Sequence, residues 1–178
     1  MFGSIYLCNK YIVIWSGSED SSHVNPYLCA HFFMVIFMNK ELIYELINYI
    51  ESNCSKEEIP VGAFIIDSNG NIVSKAINNR QLSRNVLGHA EIIAIQNAEK
   101  IIDDWRLNGY SLIVSLKPCD MCAFVIKEAR LDKVYYLLDK NEQVKYDDLY
   151  ENFIKVEGLS DLEVKYNKLL TDFFVNKR

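Results

Sequence analysis

Two short motifs set the terms for any fold of this chain: His89-Ala90-Glu91, and Pro118-Cys119-Asp120-Met121-Cys122. Each stands where a strand-like run gives way to a helix-like one, so the fold has to bring two helix starts together. One histidine and two cysteines make three ligands for a metal, whereas a structural zinc is normally closed by four. Three protein ligands leave the fourth position for water, whose pKa a zinc ion lowers toward neutrality. Glu91, two residues past the histidine, is then the carboxylate placed to take a proton from that water and deliver it to a leaving group.

The surrounding pattern supports that placement. Leu42, Ile43, Leu46, Ile47 and Ile50 recur at helical spacing with Asn39 as the expected N-cap. The runs 61–67 and 71–77 are apolar and β-rich, and Ser68-Asn69-Gly70 between them predicts an antiparallel hairpin. The polar stretch 78–87 reads as a loop leading to a helix from near Gly88, with His89 and Glu91 in its first turn. A strand over 110–116 precedes Pro118, which suits a helix start, and three-residue spacing places Cys119 and Cys122 on one helical face. Strands over 133–138 and 153–157 follow. Ser160-Asp161-Leu162-Glu163 reads as a capping box for a last helix whose Leu162, Tyr166, Leu169, Leu170 and Phe173 form a core stripe. Strands alternating with helices at this length imply a single sheet with helices on both faces.

At 178 residues the chain fits one domain with a real core. The net charge of −5 argues against a broadly basic nucleic-acid binder, while leaving room for a local basic edge. Five cysteines, Cys8, Cys29, Cys54, Cys119 and Cys122, are an odd number and argue against a disulfide framework. A thioredoxin-like Cys-x-x-Cys would give the upstream His-x-Glu no purpose. Residues 1–37 read as an extension, unstructured or outside the native protein, with Met38 as the expected start and 38–178 as the working domain. The two apolar patches of that extension fall short of the roughly 18 residues needed to span a bilayer. A peripheral membrane anchor is the alternative reading there.

His-x-Glu followed by Pro-Cys-x-x-Cys is the signature of zinc nucleobase deaminases. With Ile59-Pro60-Val61-Gly62-Ala63, Asn78 before a loop, His89-Ala90-Glu91-Ile92, Leu116, Pro118 to Cys122, Ala129-Arg130-Leu131 and Val134-Tyr135, the chain over 39–178 resembles the cytidine deaminase superfamily. The closing Leu169-Leu170-Thr171-Asp172-Phe173-Phe174 is similar to the end of its bacterial tRNA-specific adenosine deaminases. The resemblance implies a three-layer α/β/α sandwich around a mixed sheet of about five strands. It also implies one zinc per chain on His89, Cys119 and Cys122, with Glu91 as the acid and base. Asn78 would hydrogen-bond the flipped base, and Val61 with the His89 ring would sandwich it. From the residues alone, Asn78 reads equally as a turn residue and Val61 as strand core.

The function implied is conversion of the wobble adenosine of a tRNA anticodon stem-loop, that of an arginine tRNA, to inosine. The protein would be a cytoplasmic homodimer without membrane contact. Arg80, Arg84, Arg130, Lys133, Lys168, Lys177 and Arg178 are the candidate backbone contacts. Two other readings use the same motifs: a guanine, cytosine or nucleotide deaminase acting on free metabolites, and an inactive zinc-containing RNA-binding relative, against which Glu91 speaks. The chain departs from the family pattern at Lys117, where an acidic residue is usual, at Val86-Leu87-Gly88, and at Leu137-Leu138-Asp139-Lys140, where a Gly-Ala stretch is expected. These departures bear on substrate contacts.

Overall fold

Apolar residues recur along the chain with the periods of strands and helices, and the elements follow them. The computed structural model describes the backbone of residues 5–8, 11–14, 26–140, 149–175 and 177, and the side chains of 40–140, 149–175 and 177. The chain divides into two compact units, 1–39 and 40–178. In the first, β1 (Ile5–Cys8) and β2 (Tyr11–Ile14) pair antiparallel. Helix α1 runs Pro26–Asn53, so Asn39 lies inside a helix and is not its N-cap.

In the second unit, the 40–53 part of α1 is followed by β3 (Gly62–Ile66) and β4 (Ile72–Ile77), then α2 (Ala90–Ile102) and β5 (Ser111–Leu116). Next come α3 (Asp120–Glu128), β6 (Lys133–Leu138), β7 (Phe153–Lys155) and α4 (Ser160–Val175). The hairpin turn is built on Asp67, whose carboxylate accepts the N–H groups of Asn69 at 2.9 Å and Asn71 at 2.8 Å. Gly70 takes the left-handed φ of 82° that such a turn favours. The Asn71 side-chain amide, donating to the other carboxylate oxygen at 2.9 Å, is the main cause that holds the exposed Asp67 carboxyl below the usual range, and the backbone donors add to it. Glu163 N–H already bonds the Leu159 carbonyl, so α4 is under way before the expected capping box could close.

The five strands form one mixed sheet in the order β4-β3-β5-β6-β7, antiparallel at β4-β3-β5 and parallel at β5-β6-β7. Residue alternation divides its two faces. Ala63, Ile65, Leu112, Val114, Val134 and Tyr136 join the core under α2 and α3. The opposite face meets α1 and α4: Phe64 packs edge-on against Tyr49, and a Cβ at Gly62 would lie 2.6 Å from Ile50 Cγ1. On this side Ser115 Oγ accepts the Gly62 N–H at 3.1 Å, and its hydroxyl meets that of fully buried Tyr166 at 3.0 Å. This is the three-layer α/β/α arrangement that the resemblance implies.

Topology then places the chemistry. β4 and β5 both run antiparallel to β3, so their C-terminal ends, at Ile77 and Leu116, emerge at the same end of the sheet. The start of β3 lies at that end too, because Gly62 pairs with Ile77.

Candidate metal and catalytic centre

Residues at the start of a helix normally spend a side-chain oxygen on the helix's own N–H groups. His89 and Cys119 do not. His89 is the N-cap of α2 and Cys119 that of α3, both with extended backbone and neither with a side-chain cap bond. The sequence pattern places both inside their helices, with Pro118 in the first turn of the second, whereas α2 begins at Ala90 and α3 at Asp120. Their side chains turn toward each other instead. His89 Nδ1 lies 3.7 Å from Cys119 Sγ and 3.4 Å from Cys122 Sγ, and the two sulfurs are 3.6 Å apart. That is far beyond a disulfide bond of about 2.05 Å. Zinc held tetrahedrally, at about 2.3 Å from sulfur and 2.0–2.1 Å from nitrogen, needs ligand atoms about 3.5–3.8 Å apart. The three side chains fit that ion with little adjustment, and their atoms form a metal-ligand group on distance alone.

The electrostatics favour a cation. Cys119 is held down to about 3, chiefly by the Cys122 thiol donating to it, with His89 adding to the effect. Cys122 is pushed up, first by that same hydrogen bond, then by burial and by the Glu91 carboxylate. The His89 ring is raised, first by its hydrogen bond to Cys119, against the opposing effects of burial and of Arg80. A divalent ion bound by these three groups would take the place of the protons that now link them.

Glu91, in the first turn of α2, is 3% exposed. Burial raises its carboxyl above the ordinary value, opposed by its own backbone N–H and by the charges of Lys140 and His89. Asn78 follows β4 directly. Its N–H bonds the Val61 carbonyl at 2.9 Å, and its Oδ1 accepts the Ala90 N–H at 2.9 Å, supplying from outside the cap that His89 does not. With the oxygen so used, the amide presents Nδ2 as its donor. Val61 is buried in the same cluster as Ala90 and Cys122. The fold therefore brings all six site residues to one end of the sheet.

It does not bring all the basic residues there. Arg80 and Arg84 sit in the loop beside His89. Lys133 opens β6 opposite Ser111, at the far end of the sheet, and Arg130 lies just past the C-terminus of α3, over the Trp105 ring. Lys168 pairs with Asp172 at 2.8 Å, and Lys177 donates to the Glu57 carbonyl. Arg178 lies outside the described residues.

Lys117, the departure beside the second motif, is enclosed. Its ammonium stands 5.4 and 5.2 Å from the ring centroids of Tyr136 and Tyr150 and 3.7 Å from Asp139. Asp139 belongs to the departing segment 137–140, so two of the three departures partner each other. Tyr150 also donates to Asp120 Oδ1 at 2.8 Å, bracing the start of α3. Tyr150, Asp120 and the buried Glu58 escape motif reading because their partners are distant in sequence.

A mixed sheet carrying His and Cys-x-x-Cys at two converging helix starts, with a buried glutamate alongside, is a candidate zinc centre with a carboxylate placed for acid and base work. The model of the cytidine and deoxycytidylate deaminase zinc-binding region matches residues 37–138, and the chain belongs to that family. A tRNA-specific adenosine deaminase of Rickettsia bellii is 45% identical over 93 residues, covering 52% of this chain and 64% of that protein. The chain thus spans less than two thirds of that relative. A solved structure from work on A-to-I editing by tRNA:A34 deaminases aligns with a TM-score of 0.63 at 25% identity, over 73% of this chain and 99% of that one. A Bacillus subtilis guanine deaminase aligns with a TM-score of 0.52 at 28% identity, over 56% and 64% of the two chains. Among the described residues, no helix is long and apolar enough to cross a membrane.

Proposed function

We propose that this chain is a zinc-dependent hydrolytic deaminase that converts the wobble adenosine of a tRNA anticodon to inosine. The carrying observation is the ligand triangle of His89, Cys119 and Cys122 with the buried Glu91 carboxylate beside it. Those three residues would hold one zinc, which when bound supplies a Lewis acid that makes water acidic near neutral pH. Glu91 accepts the proton of the attacking water and returns it to the departing amine as the bond from C6 to nitrogen breaks and ammonia leaves. Asn78 Nδ2 donates to an acceptor on the base, held in that orientation by the bond from Ala90 to its oxygen. Val61 and the His89 ring form the walls that receive the flipped base.

The tRNA substrate is supported by the naming of the Rickettsia relative and of the tRNA:A34 deaminase neighbour. Anticodon loops offer unstacked bases that a pocket can admit. We take an arginine tRNA as the substrate, residues 38–178 as the deaminase domain with 1–37 outside it, and a cytoplasmic homodimer as the working form. The likeness to a guanine deaminase favours a second reading, in which the same centre acts on a free purine. Ammonia release from an anticodon stem-loop beside free guanine and cytosine separates the two. Turnover of the stem-loop alone is expected, and turnover of guanine with an untouched stem-loop contradicts the proposal.

A further inference from the structure

Glu58 is the one buried acidic residue that the deaminase mechanism leaves without a task among the described residues, at 2% exposure against 3% for Glu91. A carboxylate so placed is costly unless it is hydrogen-bonded. Its Oε1 accepts the backbone N–H of Leu82 at 2.8 Å, from 24 residues away. Leu82 lies at the tip of the 78–88 loop, and that loop is closed upon itself. Asn79 N–H bonds the Gly88 carbonyl, Asn85 N–H that of Arg80, and Gly88 N–H that of Asn85. A Cβ at Gly88 would meet the Arg80 backbone at 2.8 Å, so the two arms of the loop touch. Its base is fixed separately, by Asn78 to Val61 and Ala90. The bond to Glu58 fixes its tip.

That tip is unlike a spare connection. It exposes Leu82, Val86 and Leu87 and carries Arg80 and Arg84, immediately before His89. Aliphatic side chains that can pack against splayed bases, with the guanidinium groups of Arg80 and Arg84 to stack on bases or pair with phosphates, suit single-stranded nucleic acid flanking a flipped base. We infer that Glu58 is a positioning residue: from inside the fold it holds the 78–88 loop in the form that grips polynucleotide on either side of the reacting base. This rests on the proposed function. It makes Glu58 a determinant of RNA affinity, while His89, Glu91 and Asn78 are held by other bonds.

The test compares zinc-loaded full-length wild type, Glu58→Ala and Glu58→Gln on the anticodon stem-loop, with zinc content and amide hydrogen exchange at Leu82 read on the same samples. Glu58→Ala should raise KM about tenfold, as expected for loss of a bond to a charged acceptor. It should leave kcat within about twofold, retain one zinc, and accelerate Leu82 exchange. Glu58→Gln keeps an acceptor at the same place and should restore most of KM and of the protection, which also guards against a misfolded alanine variant. An active wild type whose Glu58→Ala variant matches it in KM and Leu82 exchange overturns the inference. So does a fall in kcat and zinc content at unchanged KM, which would make Glu58 a prop of the metal centre. A wild type that ignores the stem-loop refutes the proposed function and this inference together, and is told apart by needing no variant to show it.

Discussion

Glu91 is buried beside three metal-ligand side chains and close enough to Cys122 to raise its thiol, yet it is not required to complete the ligand triangle. Glu91→Ala should therefore keep its zinc by elemental analysis while losing activity by about a hundredfold to ten-thousandfold, the usual worth of a positioned acid and base. Cys54 behaves oppositely to Cys119. Burial, with Glu58 nearby, pushes its thiol up to about 11. Because the folded value lies above that of a free thiol, the fold favours the proton. The associated stability is complete below about pH 8.5 and is lost as the pH rises through the folded value. Alkylation at pH 8, mapped by mass spectrometry, should spare Cys54 in the folded protein and label it in urea. At this scale the sequence was most legible where chemistry is local: His89, Glu91, Cys119 and Cys122 declare themselves within two motifs. Glu58 and Asp120 do not, because each is defined by a partner 24 or 30 residues away. A charge before a strand reads as solvated until the fold buries it.

Elements reproduce the sequence pattern where periodicity and turn chemistry agree. The hairpin, β6 and the core faces of α2 follow from alternation, Asn-Gly and helical spacing. The start of α1 did not, since apolar residues continue upstream of Asn39 and the helix runs through it. Between elements, the link of β3, β5 and α4 through Gly62, Ser115 and Tyr166 is buried and hydrogen-bonded. Tyr166→Phe should cost about 1 kcal/mol in urea unfolding, the net worth of such a bond, with zinc content unchanged. Gly88→Ala tests the closed loop more severely, because its Cβ would meet the backbone of Arg80 and Asn79 at 2.8–2.9 Å. A loss of about 1–3 kcal/mol is expected from such overpacking. An unchanged unfolding midpoint would mean that the arms of the loop do not touch as described.

In the whole molecule, function follows from strand direction. β4 and β5 run the same way, so the loop after one and the helix after the other meet at one end, where Val61, Asn78, His89, Glu91, Cys119 and Cys122 gather. The same directionality sends Lys133 and Arg130 to the other end, and no reading of charge along the chain could have separated them from Arg80 and Arg84. A net charge of −5 is compatible with RNA binding only if the basic groups that matter stand at the site's edge. If this end of the sheet deaminates adenosine in RNA as proposed, incubating the zinc-loaded protein with an arginine-tRNA anticodon stem-loop and identifying the nucleoside at the wobble position by mass spectrometry reveals it. Inosine at that position with wild type, and adenosine with Glu91→Ala, is the predicted result. Adenosine with both, from protein carrying its zinc, would contradict the account.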